Sequence, residues 1–429
     1  MRLLVGTLAA ILVRFSSNTF TVCSDTSDND IGIPFIFMSE APGWPLSNVW
    51  KSVDGCKPDL DIHIQAKILS QLGAITWKLS QLRFDKIGSL FEEKDGSFQI
   101  EESLSRGHVE HDRYILEEIP RGPFTSETNF YDGLISAFSE HAEILQSSHH
   151  CFVAPVPSQD YYQSRSRYLE ALDLWYDFVT VGGKIDSAIN RMDYIIAGDA
   201  LRAIVQGLKL PFTSPGSFPL YHADLSVNNI YVDDDYNITC IIDWVFASSV
   251  PESMLLRAPA LPQPRDELSP DLHVPFIDGF IAAMPDSSET SVHRYREILE
   301  QGQFFWSLNH LLNLDTIKDY NLFAAIWDSA HGEKDMGQYF LQQRCSPHYT
   351  QLYSEFQQED RPVVKVEKDE RDYFRDDVLR QTIARKLRVV SEWTTQYTDS
   401  PRLRKDMFVA DSRLWKWILQ CTQDWEDMA

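Results

Sequence analysis

The stretch LYHADLSVNNIYVDDDYNITCIIDWVFA, residues 220–247, decides how this chain is read. Its alternation of polar and apolar residues predicts a β-hairpin entered through a tight polar loop. His222, Asp224 and Asn229 lie in the loop, and Ile230, Tyr231 and Val232 form a short strand. The run DDDYN makes a polar turn, and a second strand from Ile238 to Ile242 ends at Asp243. Such a hairpin presents Asp224, Asn229 and Asp243 from one edge. These residue types match what phosphoryl transfer asks of a protein: a carboxylate to orient the attacking hydroxyl, and oxygen ligands to hold Mg²⁺ against a triphosphate. Acidic turns beside β-strands explain any one of the three residues alone, but they do not explain the spacing of all three.

The motifs HADLSVNN and IIDW resemble the catalytic and metal-binding segments of the aminoglycoside phosphotransferase and choline kinase family, a branch of the protein-kinase-like fold. The resemblance implies an α+β fold in which a mostly helical large lobe carries a catalytic β-hairpin. It implies Asp224 as the catalytic base, Asn229 and Asp243 as Mg²⁺ ligands, His222 as a brace of the catalytic loop, and ATP as phosphoryl donor. The family's first motif usually reads His-Gly-Asp, and Ala223 departs from that Gly while leaving the carboxylates in place. Trp244 stands where protein kinases carry Phe in Asp-Phe-Gly, and residues 251–270 contain no Ala-Pro-Glu ending. Both features point to a small-molecule acceptor rather than a protein.

Upstream, IGIPFIFMSEAPGWPL (residues 31–46) reads as a buried strand ending in a Pro-Gly turn, and it resembles the family's hinge strand. Adenine would then bond main-chain groups around Ser39 and Ala41, with Met38 lining the pocket. A complete member carries a Gly-rich loop and a strand lysine before the hinge. Here no lysine precedes Lys51, and only Gly6 and Gly32 precede Gly43. The expected organisation is a residual small-lobe segment and hinge at 1–45 and a large lobe at 46–429, with most of the small lobe missing. On that expectation the strand at 35–39 has an unpaired edge, and the chain as written is a weak kinase or none.

Composition narrows the partners. A formal net charge of −24, from 39 basic and 63 acidic residues, argues against nucleic acid or an anionic membrane. It suits a cationic acceptor such as an amine or amino sugar, although acidity also serves simply to keep a protein in solution. Six cysteines without CxxC spacing support neither a disulfide framework nor a zinc site, so a reducing, cytoplasmic compartment is expected. Residues 1–17, MRLLVGTLAAILVRFSS, resemble a signal peptide in their charged start and short apolar centre, which makes secretion the alternative. Their apolar run is too short to span a bilayer, and Arg14 interrupts it without a small-x-small cleavage site.

Helical spacing predicts an amphipathic helix over 60–84 and further helices at 129–145, 161–181, 185–208, 293–312 and 372–393, with a last one around Trp417. FDKIGSLFEEKDGSFQI predicts a hairpin turning at Asp95-Gly96. Within it Asp85-Lys86-Ile87-Gly88-Ser89-Leu90 resembles a phrase that recurs in the family, as does Arg121-Gly122-Pro123-Phe124, neither with an assigned role. Two readings compete with the phosphotransferase. One is a catalytically impaired pseudokinase or binding protein that keeps the large-lobe fold. The other is a metal-dependent hydrolase using His222, Asp224 and Asp243, which lacks a second histidine at ligand spacing. The acceptor and the oligomeric state are not encoded in any motif.

Overall fold

The computed structural model describes residues 21–23, 35–37, 40–50, 60–93, 97–145, 187–208, 216–244, 246–262, 268, 270–285, 288–315, 319–332, 334–365 and 368. The architecture is α+β, and the chain divides into two compact units that interleave in sequence. One comprises Met1–Val109, Pro120–Gly133 and Lys209–Trp306. The other comprises Glu110–Ile119, Leu134–Leu208 and Ser307–Ala429.

In the first unit, strand β1 (Thr21–Cys23) pairs antiparallel with β2 (Phe35–Phe37), Thr21 opposite Phe37. The strand expected to carry an unpaired edge therefore has a partner on one side. Thr-Val-Cys is too short a β-branched run to announce itself locally. Strand β3 (Trp44–Pro45) follows, then a single 3₁₀ turn at Leu46–Asn48. Helix α1 (Ile62–Ser80) is started by Asp61, whose side chain accepts from the His63 N–H at 2.8 Å. Its apolar spacing buries Ile68, Leu69, Leu72 and Leu79.

Strands β4 (Arg83–Phe84), β5 (Gly88–Glu92) and β6 (Phe98–Ile100) come next, with β5 and β6 paired antiparallel as the sequence predicts. The turn between those two, around Asp95-Gly96, lies outside the described residues. Strands β7 (Phe218–Tyr221), β8 (Ile230–Val232), β9 (Ile238–Ile241) and β10 (Ser248–Ser249) complete two antiparallel sheets. One runs β3-β8-β9 and the other β4-β7-β10-β5-β6.

Helix α2 (Pro270–Ala282) packs directly on α1, and two glycines permit the approach. A Cβ on Gly73 would fall 2.1 Å from the Phe276 carbonyl oxygen, and one on Gly279 would fall 1.9 Å from that of Ser70. The core beneath the β3-β8-β9 sheet is built from Ile68, Leu72, Val227, Ile230, Val232, Phe276 and Phe280. Burial of those side chains is the main favourable term holding the hairpin to its helices.

The second unit is helical where described. Helix Ala188–Gly207 begins at Ser187, whose hydroxyl accepts from the Asn190 N–H at 3.3 Å. Helices Asp319–His331, Met336–Arg344 and Pro347–Phe356 follow. Asp193 is 1% exposed and is held by both arms of Arg344, at 2.9 and 2.6 Å. The helices expected at 161–181, 372–393 and around Trp417 lie outside the described residues. Among the described residues no helix is long and apolar enough to cross a membrane.

Candidate active site

The site grows out of the β8–β9 hairpin. Ile230 pairs with Ile241 and Tyr231 with Cys240, and a register shift between Tyr231 and Val232 sets Val232 opposite Ile238. The turn is tied by its own side chains. The Asp233 carboxylate accepts from the Asp235 and Asn237 N–H groups at 3.0 and 2.8 Å, and Asn237 Nδ2 donates back to it at 2.9 Å. Helix α1 clamps this turn from outside. Lys67 donates to the Asp235 carbonyl at 2.6 Å, while Gln71 donates to the Tyr236 carbonyl at 2.9 Å and accepts from Ile238 N–H at 2.8 Å.

At the open end of the hairpin the ladder continues, with Ile242 N–H donating to the Asn229 carbonyl at 2.9 Å. Asn229 and Asp243 therefore lie on facing strands, one residue out of register. A second ladder reinforces this from the other direction. Tyr221, which precedes His222, pairs with Ser248, which follows the Asp243 segment. Segments 222–229 and 242–247 are thus tethered to each other at both ends. The loop itself is anchored through Val227, whose carbonyl accepts from Ser47 N–H and whose N–H donates to the Pro262 carbonyl, each at 3.1 Å.

His222 is 3% exposed and spans the two segments. Its Nδ1 accepts from the Asp224 backbone N–H at 3.2 Å, so that nitrogen carries the lone pair. The proton then resides on Nε2, which donates to the Ile242 carbonyl at 2.9 Å. Burial pushes the imidazole pKa below its ordinary value, opposed by the Ile242 bond and by the charges of Asp224 and Asp243. The edge of Trp244 closes over it, ring centroids 4.7 Å apart, and Trp244 Nε1 donates to the Ile241 carbonyl at 3.0 Å.

Asn229 turns its Nδ2 to the Asp224 carbonyl at 2.8 Å and to the Asp224 carboxylate at 3.3 Å, bonds that do not engage its Oδ1. Asp224 and Asp243 are both exposed, and among the described residues neither carboxylate is paired with a Lys or Arg. Asp243 adopts φ 61° and Phe246 φ 65°, left-handed conformations that residues with a Cβ rarely take.

The hinge residues are only partly placed. Met38 and Ser39 lie outside the described residues, while Ala41 is half-buried beside the hairpin. The carbonyl of the next residue, Pro42, accepts from the Thr239 hydroxyl, and Trp44 pairs with Val232. Gly43 makes this approach possible: its φ is 93°, and a Cβ there would lie 2.4 Å from the Val232 carbonyl oxygen. Two parts of the site were not anticipated from the sequence. Gln71 is one of several polar residues on a helix and gives no local sign of its role. The Ser248–Ser249 strand is too short to produce a period.

The donor set is all oxygen: the Asp243 carboxylate, Asn229 Oδ1 and the nearby Asp224 carboxylate. Among the described residues no cluster of three or more His, Cys, Asp or Glu forms a metal cage. Two protein oxygens, with substrate phosphate and water completing the shell, is the way Mg²⁺ is usually held. Both nitrogens of His222 are engaged by backbone, which removes it as a ligand. Compared with known proteins, the chain matches no family model, no curated protein and no solved structure.

Proposed function

We propose that this chain is an ATP-dependent phosphotransferase of the protein-kinase-like type, passing the γ-phosphate to a hydroxyl of a small-molecule acceptor. One observation carries the reading. Two exposed carboxylates flank a single neutral histidine, with an amide oxygen on the same ladder and no cationic partner among the described residues. Like charges gathered in this way are relieved by a cation. Mg²⁺, when bound, supplies charge neutralisation of the phosphates. Asn229 Oδ1 and the Asp243 carboxylate are the residues that would hold it. Asp224, kept in place by Asn229 Nδ2 and by the His222 contact to its N–H, accepts the proton of the attacking hydroxyl. His222 holds the loop and takes no proton. Ala41, together with Met38 and Ser39, is assigned to the adenine site by motif resemblance.

The division of roles is testable without knowing the acceptor. Asp243→Ala should abolish Mn²⁺-dependent ATP binding, measured by titrating free Mn²⁺ in its electron paramagnetic resonance signal. Asp224→Ala should keep that binding and lose ADP formation against a panel of amines and amino sugars, since a base acts on the chemical step. Equal loss of binding in both variants would refute the assignment, and binding without turnover in the unmutated chain would favour a binding protein.

A further inference from the structure

The segment carrying Asp243 leaves the hairpin through two left-handed residues, Asp243 and Phe246, neither of them glycine. Such conformations persist only where the surroundings impose them. The restraint begins two residues downstream. Ser248 Oγ donates to the Phe246 carbonyl at 2.8 Å. A serine hydroxyl has one proton, so in the 3.0 Å contact between Ser248 and Ser89 it is Ser89 that donates. Ser89 in turn accepts from the Leu104 N–H at 2.9 Å. The hydrogen bonds therefore run in one direction, from Leu104 N–H through Ser89 and Ser248 to the Phe246 carbonyl. Ser89 is 0% and Ser248 5% exposed. In such a chain each link polarises the next, and water does not compete for it. Ser89 lies on β5 and Ser248 on β10, so the turn, closed locally by Ala247 N–H donating to the Trp244 carbonyl at 3.0 Å, is tied through this chain to the five-stranded sheet as well. Ser249, next in the chain and as deeply buried, donates instead to the Lys86 carbonyl and does not touch the turn.

We propose that Ser248, backed by Ser89, is a positioning residue: its hydroxyl holds the Phe246 carbonyl and so fixes the left-handed turn that presents the Asp243 carboxylate. The geometric part stands alone, while its consequence for metal rests on the phosphotransferase reading. Two measurements on the full chain separate these parts. In hydrogen exchange, the peptide spanning 243–250 should exchange faster in Ser248→Ala than in the unmutated chain, and Ser249→Ala should leave the Asp243–Phe246 amides unchanged. In Mn²⁺ titration with ATP present, Ser248→Ala should bind about three- to tenfold more weakly, the loss of one hydrogen bond, with Ser249→Ala within about twofold of the unmutated chain.

Ser248→Ala also leaves the buried Ser89 hydroxyl without an acceptor, which threatens folding. The double variant Ser89→Ala/Ser248→Ala removes that orphan but takes the acceptor from Leu104 N–H, so it is compared for Mn²⁺ binding alone, which should stay weak as in Ser248→Ala. Unchanged exchange at 243–247 in Ser248→Ala, or equal Mn²⁺ loss in Ser248→Ala and Ser249→Ala, overturns the inference. If the unmutated chain takes up no Mn²⁺ yet Ser248→Ala exchanges faster, the metal reading falls and the positioning chain stands.

Discussion

Replacing Glu127 by Gln should change the pH dependence of stability between pH 4.5 and 7. Glu127 opens the helix Glu127–Ile144 and is 4% exposed. One carboxylate oxygen accepts from the Glu252 N–H at 3.1 Å, and the other is buried without a hydrogen-bond partner. The nearest charge is a second buried carboxylate, Glu252, which holds Arg83 at 2.6 Å and Arg294 at 3.7 Å for itself. Burial, with the Glu252 charge adding to it, raises the Glu127 pKa from 4.5 to about 7. At about 1.36 kcal/mol per unit, that shift corresponds to about 3 kcal/mol. The helix N-terminus opposes it by only about 0.3–1 kcal/mol, so desolvation wins.

Between pH 4.5 and 7 the folded chain binds the extra proton and the unfolded chain does not. Stability therefore falls as pH rises through this window and levels off above it. Gln keeps the shape and the acceptor for Glu252 N–H but has nothing to titrate. The stability difference between Glu127→Gln and the unmutated chain should move by about 3 kcal/mol in favour of the variant from pH 4.5 to 7.5. Urea unfolding followed by tryptophan fluorescence at half-unit pH steps measures it. Parallel curves across that range would show that Glu127 is not neutral in the folded state and that the argument from burial is wrong.

Two further substitutions test the scaffold. Gly43→Ala places a methyl against the Val232 carbonyl and the Thr239 hydroxyl at a positive φ, and should cost at least about 2 kcal/mol in thermal unfolding; a cost near zero would mean β3 does not sit on β8. Arg344→Ala strands the Asp193 carboxylate in the interior and should cost about 3–5 kcal/mol in urea, with Arg344→Lys recovering only part because it cannot supply two parallel donors; full recovery by Lys would contradict the bidentate geometry.

What the sequence made legible was whatever is local. The β8–β9 hairpin, its DDDYN turn and α1 follow from periodicity and turn chemistry read over fewer than thirty residues; the hairpin lies where that reading puts it, while the helix expected over 60–84 ends at Ser80 because Arg83–Phe84 pair as β4 with β7. The helices at 129–145 and 185–208 return as Glu127–Ile144 and Ala188–Gly207 for the same reason. The stretch 293–312 is broken at Gln301 into two helices, Glu289–Glu300 and Gly302–Asn313. Pairings of short segments far apart in sequence stayed hidden. Nothing in Thr-Val-Cys names Phe35–Phe37 as its partner, and nothing in Ser-Ser names Tyr221 and Ser89. Glu127 reads locally as a favourable charge in a first helical turn. Only the chain segment that brings Glu252 against it, 125 residues later, turns it into a buried acid.

Those non-local pairings are what turn a motif into a site. A sequence can place Asp224 in a loop and Asp243 at a strand end, but it does not thereby hold them in one geometry. The ladder through Ile230 and Ile241 fixes one end of the two segments, the ladder through Tyr221 and Ser248 fixes the other, and His222 joins the two through Nε2 to the Ile242 carbonyl while its Nδ1 holds the Asp224 N–H of its own segment. Between these ties Asp243 and Phe246 hold left-handed conformations without glycine, as residues do where their surroundings impose the backbone. On the proposed phosphotransferase reading, charged groups held in this way would need little rearrangement on binding substrate, the economy of reorganisation from which electrostatic catalysis gains its advantage over water. On the positioning role proposed for it, Ser248, in one of the least conspicuous elements of the fold, is therefore as much a part of the candidate site as the Asp243 carboxylate.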